Sequence, residues 1–322
     1  MALTFLTAQA LPGSGVFAHP GMTLWVYYFL TTPHRWITLA LVFLDGERFW
    51  QRPRAFVSVA MGFALLVCVV WFGTRTVILL LLADFVWNAW HYGSQHSGIS
   101  RIYGRAAWPG VTSSTMFEKA VIRVFVLYAI VRPLVYPAFA LDDVRSWPGW
   151  VQSAQAGFDV ALHGLVLTVR DFELWLLLLP ATLLAKELRR YRPAAFGRVV
   201  YLANVCLLYG SIITAVHLEI DGRIVLGLLV ATSVFHATEY LAIVSWSVWK
   251  KHGGTPGTLL GHLVPRWAFA MLTFIVVLAV TGWMLDRHLQ LWVLATIFVS
   301  YLHYAYDGMI WKIRRPASAA VA

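Results

Sequence analysis

Residues 78–98, ILLLLADFVWNAWHYGSQHSG, begin as an uninterrupted apolar run and continue with Asp84, Asn88, His91 and Gln95 at helical spacing. Positions i, i+4, i+7 and i+11 share one face of an α-helix. Polar side chains in a membrane helix face the interior of a bundle, because lipid offers them no partner. The stretch therefore predicts a membrane helix with a polar inner face, and further helices that pack around that face.

The composition of the whole chain agrees with this prediction. The 322 residues are 60% hydrophobic and 12% charged, whereas soluble domains have about 25% charged residues. Nine apolar windows approach the length of about 20 residues that spans a bilayer. They are residues 22–45, 55–72, 76–96, 119–140, 171–188, 198–217, 223–249, 266–285 and 289–313. We predict an all-α polytopic bundle of about nine spanning helices, with residues 1–322 forming a single integral-membrane domain.

The distribution of basic residues predicts an orientation. Lysines and arginines concentrate in alternate connections, such as 48–54, 186–198 and 312–315, so the positive-inside rule places the N-terminus outside and the C-terminus in the cytoplasm. The same rule, together with anionic membrane lipid, explains the formal charge of +10. The positive charge is therefore no argument for nucleic acid as a partner. Helix lengths and charge bias fit a bacterial inner membrane. In the long connection 141–170, tryptophans and leucines predict an interfacial helix near residues 146–169.

Four histidines fall at one depth in this topology. His34, His91, His236 and His303 lie about 12 to 15 residues below the outer ends of helices that run in the same direction, within about 5 Å of depth at about 1.5 Å per residue. Three of them are followed, three or four residues later, by a polar group on the same face. The pairs are His91 with Gln95, His236 with Glu239, and His303 with Asp307.

Such a layer predicts a metal site. A single histidine in a helix is more often a hydrogen-bonded interior residue, but several imidazoles and carboxylates at one depth carry more lone pairs than donors. Nitrogen and carboxylate ligands suit iron, zinc or manganese, and a few such ligands with open positions are typical of non-haem iron. The predicted ligands are His91, His236, Glu239, His303, His34 and Asp307. Asn88 and Gln95 are predicted to lie around the ligands. The candidate catalytic residues are Tyr92, Tyr304 and Asp84. Tyr240, which directly follows the predicted ligand Glu239, is a third tyrosine of this kind.

These residues favour a metal-dependent, non-haem iron oxidoreductase that takes a lipophilic substrate from the bilayer, with a possible redox partner. Two alternatives stay open: a haem-binding or electron-transfer protein with two of these histidines as axial ligands, and a proton- or cation-coupled transporter whose path includes Asp84, Glu239 and Asp307. The sequence lacks G-x-S-x-G, P-loop and dinucleotide-binding fingerprints, as well as the HxxxH boxes of membrane desaturases. In architecture alone, the predicted bundle is similar to the integral-membrane carotene-cleaving dioxygenases, in which histidines from several helices hold one iron.

Overall fold

The computed structural model describes residues 26–109, 116–135, 149–253, 259–285 and 289–311. Helix accounts for 93% of these residues, and none of them is in a strand. The prediction of an all-α protein is confirmed.

The helices are numbered in chain order. They are α1 (Thr32–Leu44), α2 (Gly46–Gln51), α3 (Pro53–Thr74), α4 (Ile78–Ala107), α5 (Met116–Val131), α6 (Gly149–Arg170), α7 (Leu178–Arg189), α8 (Phe196–His217), α9 (Gly222–His252), α10 (Leu259–Leu263), α11 (Trp267–Leu285) and α12 (Leu289–Ile310). A π-helical turn, Tyr27–Thr31, leads into α1, and short 3-10 segments extend several others. These segments are Arg132–Val135 after α5, Glu173–Leu177 before α7, Pro193–Ala195 before α8 and Val264–Arg266 before α11.

Four helical stretches are long and apolar enough to cross a membrane: Pro53–Thr74, Pro193–His217, Gly222–His252 and Leu259–Leu285. They correspond to four of the nine predicted windows and make this a helical membrane protein. Within their most apolar windows, α3 and the stretch ending in α11 are only 11% buried by the protein. The five other spans and the orientation stay predictions.

Helix α6 lies where the sequence predicts an interfacial helix, with bounds Gly149–Arg170. It buries Leu162 and Val166 and exposes Val160 and Leu167. A helix with one face against the protein and apolar side chains on the other suits a lipid surface, while its depth in the membrane stays a prediction.

The chain divides into two compact units, which are described separately. Unit 1 contains Thr76–Glu239, and its described core includes Leu81, Phe125, Leu202 and Ile212, each almost fully buried. Within it, α4 packs along α5 and against α8.

Unit 2 contains Tyr28–Arg75 and the chain from Tyr240 onward. Helix α1 packs against α12 and α11. One apolar cluster joins α1, α9 and α10 through Ile37, Leu41, Tyr240, Val244, Val248 and Leu260, and a second joins α1, α3 and α12 through Val42, Phe56, Leu302 and Tyr306. Both clusters hold α1, which carries His34, within the unit.

Candidate functional site

In unit 1, the structure brings His91 of α4 and His236 of α9 together. Their ring centroids lie 5.4 Å apart in an edge-to-face arrangement, and the two residues are 6% and 1% exposed. The Tyr92 ring stacks on the His236 ring at 3.6 Å, and the Tyr92 hydroxyl donates to Ser233 Oγ at 3.3 Å. Tyr92 therefore fixes the plane of the His236 imidazole from one side.

Two neighbouring residues of α4, Gln95 and His96, lie beside this pair and make different contacts. The Gln95 side-chain amide donates to the His236 carbonyl at 3.1 Å, so it fixes the backbone of α9 beside the pair. His96 is fully buried, and both of its ring nitrogens lie 2.7 Å from tyrosine hydroxyls, Nδ1 from Tyr201 and Nε2 from Tyr209. Because both nitrogens are engaged, His96 is a structural histidine.

The acidic members of the predicted site in unit 1 differ in burial. Asp84 is 1% exposed, two helical turns before His91, and Asn88 between them is half-buried. Glu239, one turn after His236, is half-buried, and its Oε2 lies 3.5 Å from His96 Nδ1. Its closest described charged or imidazole partner is thus His96, a residue that the sequence analysis did not select.

In unit 2, the structure brings His34 of α1 and His303 of α12 together. Their ring centroids are 4.6 Å apart, also edge to face, and both residues are buried. His303 Nδ1 lies 2.7 Å from Thr38 Oγ1, one turn after His34. Tyr304, a predicted catalytic residue, is buried with its ring 5.6 Å from that of His303.

Asp307 lies one turn after His303 and accepts hydrogen bonds on its Oδ1. The donors are the Tyr240 hydroxyl, in a short contact, and Trp311 Nε1 at 3.1 Å. Thr38 Oγ1 lies 2.6 Å from the Tyr240 hydroxyl and 3.5 Å from the same Oδ1. The predicted ligand Asp307 is therefore connected to His303 through two hydroxyl groups.

Unit 1 also holds a buried ion pair apart from the histidines. Arg132 donates to both oxygens of Glu173, from Nε at 2.7 Å and from Nη2 at 3.2 Å. Tyr128 donates to Oε2 at 2.5 Å, and His217 Nδ1 lies 2.9 Å from Oε1. Since Glu173 is fully buried and bonded on both oxygens, this ion pair is a structural feature and Arg132 pairs with a carboxylate.

The residues that sequence reasoning missed around the histidines are hydroxyl groups and one histidine: Thr38, Tyr201, Tyr209 and His96. Thr38 lies four residues after His34 and His96 lies four residues after Tyr92, so helical spacing from a selected residue was the available signal. An interior threonine or tyrosine in an apolar helix is too common for that spacing alone to identify it.

Unit 2 also has an apolar groove close to these residues. Its cavity is about 70 Å³ and is lined by Ile37, Ala40, Leu41, Leu44, Leu260, Leu263, Trp267, Ala270, Met271 and Phe274. Ile37 and Leu41 pack against Tyr240 in the first apolar cluster. The groove therefore runs beside the buried tyrosine that bonds Asp307.

No protein-family model, curated protein or solved structure matches this chain. The geometry of the two polar clusters is therefore the basis on which a function is proposed.

Proposed function

We propose that this chain is an integral-membrane, metal-dependent oxidoreductase whose histidine pairs bind a transition metal, with non-haem iron the preferred ion and a lipophilic molecule the substrate. One observation carries the proposal. Each unit buries one edge-to-face histidine pair, His91 with His236 and His34 with His303, and a carboxylate follows one turn later on one of the two helices.

The ring spacing in each pair supports ligation of one ion from adjacent positions. Two imidazoles with metal–nitrogen bonds of about 2.1 Å and an angle of about 90 to 110° at the metal have centroids roughly 4.5 to 5.2 Å apart. The His34–His303 centroid distance of 4.6 Å lies within this range, and the His91–His236 distance of 5.4 Å lies just beyond it. Axial ligands on opposite faces of a haem require a wider spacing, roughly 6.4 Å, so the pairs favour non-haem metal over the haem alternative.

The chain's own residues supply orientation and a dry environment. Tyr92 fixes the plane of His236 and Gln95 fixes its backbone. Asp84 and Glu239 lie on the helices that carry His91 and His236, within two helical turns of those histidines. A bound iron would supply the activation of dioxygen in a site that excludes water.

The apolar groove of unit 2 supports a lipophilic substrate. Its lining is hydrophobic throughout. A segment of a hydrocarbon chain would therefore meet only apolar side chains in the groove, with the rest of the molecule in lipid. A redox partner belongs to the same proposal, because reductive activation of dioxygen consumes electrons.

The test is metal analysis of the detergent-purified protein, together with an absorption spectrum. We expect near-stoichiometric iron without a haem band, and loss of the metal in His236→Ala and in His303→Ala. Comparison of the two variants assigns the ions to the two units. The matched controls are His163→Ala and His262→Ala, which remove exposed histidines of unit 1 and unit 2 and should retain the metal.

Retention of stoichiometric metal in both His236→Ala and His303→Ala would refute the proposal. A wild-type protein that binds no metal when purified from iron-supplemented cells would do the same.

A proton-coupled transporter is the second candidate, favoured by the hydrogen-bonded chain from His303 through Thr38 and Tyr240 to Asp307. Such a chain is the arrangement that proton relays in membranes use. This candidate predicts pH-driven flux in liposomes that Tyr240→Phe abolishes, and protein that contains no tightly bound metal.

A further inference from the structure

We infer that Asp307, Tyr240 and Thr38 act as a hydrogen-bonded relay that holds His303 in the tautomer protonated on Nδ1, so that Nε2 is the nitrogen presented to a ligand. The inference rests on the proposed function for the identity of that ligand, a transition metal. It gives Asp307 a positioning role in place of the direct ligation that the sequence predicts.

The direction of the first two hydrogen bonds is set at Asp307, whose Oδ1 accepts both of them. An indole nitrogen only donates, and a carboxylate only accepts. Asp307 Oδ1 accepts from Trp311 Nε1 at 3.1 Å and from the Tyr240 hydroxyl. The single proton of the Tyr240 hydroxyl is therefore directed toward Asp307.

The direction of the remaining bonds follows by elimination. The Tyr240 oxygen lies 2.6 Å from Thr38 Oγ1 and acts there as an acceptor, so the Thr38 proton points toward Tyr240. If Thr38 instead donates that proton to Asp307 Oδ1 at 3.5 Å, its oxygen is still left to accept from His303. Thr38 Oγ1 is then an acceptor toward His303 Nδ1 at 2.7 Å, and Nδ1 carries the hydrogen.

A neutral imidazole with its hydrogen on Nδ1 carries a lone pair on Nε2. Metal-binding histidines are usually fixed in this way, with the second ring nitrogen donating to a carboxylate, carbonyl or water. Here two buried hydroxyls transmit the polarity of the carboxylate: Thr38 is fully buried and Tyr240 is 2% exposed. Burial keeps competing water away and so preserves a single direction of the bonds.

The tautomer is measurable without metal, by solid-state NMR of the chelator-treated protein in lipid with 15N- and 13C-labelled histidine. The His303 signals are those lost in His303→Gln. In the wild type we expect a protonated Nδ1 and an unprotonated Nε2. In Tyr240→Phe the Thr38 proton loses its nearest acceptor and keeps only Asp307 Oδ1 at 3.5 Å, so we expect a mixture in which part of the protein carries hydrogen on His303 Nε2. Thr38→Val should also populate that form.

Two conservative variants separate this role from general packing. Thr38→Ser keeps the hydroxyl and should keep the wild-type tautomer. Tyr306→Phe removes another buried tyrosine hydroxyl of unit 2, bonded to the Phe56 carbonyl at 2.8 Å, and should leave His303 unchanged. With metal restored, Tyr240→Phe and Thr38→Val should weaken metal binding about 10- to 100-fold, whereas the two controls bind normally.

Hydrogen on Nε2 in the wild type, or an unchanged tautomer in Thr38→Val, overturns the inference. These results do not depend on metal content. Wild-type protein that has the expected tautomer but binds no metal would instead refute the proposed function and the ligand assigned to Nε2.

Discussion

Glu173 illustrates, at the scale of one residue, how unit 1 holds a carboxylate in a largely apolar helical protein. Both of its oxygens accept hydrogen bonds. Its partners come from two other segments: Tyr128 and Arg132 from α5 and the 3-10 segment that extends it, and His217 from the end of α8. A buried ion pair adds little net stability by itself, but removal of one partner leaves an uncompensated charge. The stability of unit 1 should therefore depend strongly on Arg132.

We expect Arg132→Met to lower the free energy of unfolding by about 3–5 kcal/mol, because Glu173 would remain buried without its counter-ion. Thermal unfolding in detergent measures the loss. The control is Arg223→Met, which breaks an exposed pair with Asp221 and should leave the transition unchanged, since exposed pairs contribute little. Equal effects of the two substitutions would contradict the argument.

Depth and charge in the sequence pointed to the four histidines, but the sequence carried no signal for the neutral groups around them. His34, His91, His236 and His303 were selected because an imidazole in a bilayer needs partners, and the structure pairs them two by two within the units. Their supporting groups, Thr38 and His96, gave no such signal. A threonine in a helix usually bonds its own preceding turn, and only the tertiary structure shows that the Thr38 hydroxyl bonds Tyr240 instead.

At the scale of elements, the packing of α4 on α5 depends on Gly93. A Cβ built at this position would lie 2.9 Å from Arg123 Cα and 3.0 Å from its carbonyl oxygen. These are backbone atoms, which do not move aside as a flexible side chain does. Helix α4, which carries His91, and helix α5 therefore approach each other at a position where only glycine fits.

Gly93→Ala should force α4 away from α5 and destabilise unit 1 by about 1–3 kcal/mol, a usual result of overpacking. The control is Gly98→Ala on the same helix, where nothing lies within 4 Å of the added Cβ. That change should be neutral or stabilising by up to about 1 kcal/mol, because alanine favours helix. Unfolding midpoints and elution as a single species report both effects, and an equally stable Gly93→Ala variant would show that α4 and α5 tolerate separation.

Hydropathy located the elements but could not show how they are interrupted. The first window contains a π turn before the 13-residue α1, and the fifth consists of a 3-10 segment followed by the 12-residue α7. Apolar length is a property of composition, whereas a π or 3-10 turn depends on local backbone hydrogen bonds. Helix α4 is uninterrupted, but the polar residues on one of its faces lower its average hydropathy. The same polar residues are the reason why the sequence analysis chose this helix as part of a site.

At the scale of the whole molecule, apolar surface and charge distribution point to a membrane environment. One face of α3 exposes Val57, Met61, Leu65, Val69 and Phe72 at near-helical spacing. Large contiguous apolar surface is unusual on a soluble protein but is the normal lipid-facing surface of a membrane helix. The orientation in that membrane is a prediction made from the basic residues alone.

Reporter fusions in a bacterial host test this orientation. Green fluorescent protein attached after Ala322 should fluoresce, and alkaline phosphatase at the same position should be inactive, because the C-terminus is predicted to be cytoplasmic. Alkaline phosphatase inserted after Glu219, in the turn between α8 and α9, should be active, since that turn is predicted to be outside. The reverse pattern would show that the N-out, C-in topology is wrong.

The three segments that meet at Glu173 also constrain how the chain is assembled during its synthesis. Arg132 emerges first from the ribosome, its counter-ion Glu173 follows about 40 residues later, and His217 comes last. A lone charge is costly in hydrocarbon, so the predicted span that contains α5 would become stable in the bilayer only after the segment before α7 has joined it. Insertion of these helices should therefore be concerted, with the translocation machinery retaining α5 until its partner arrives.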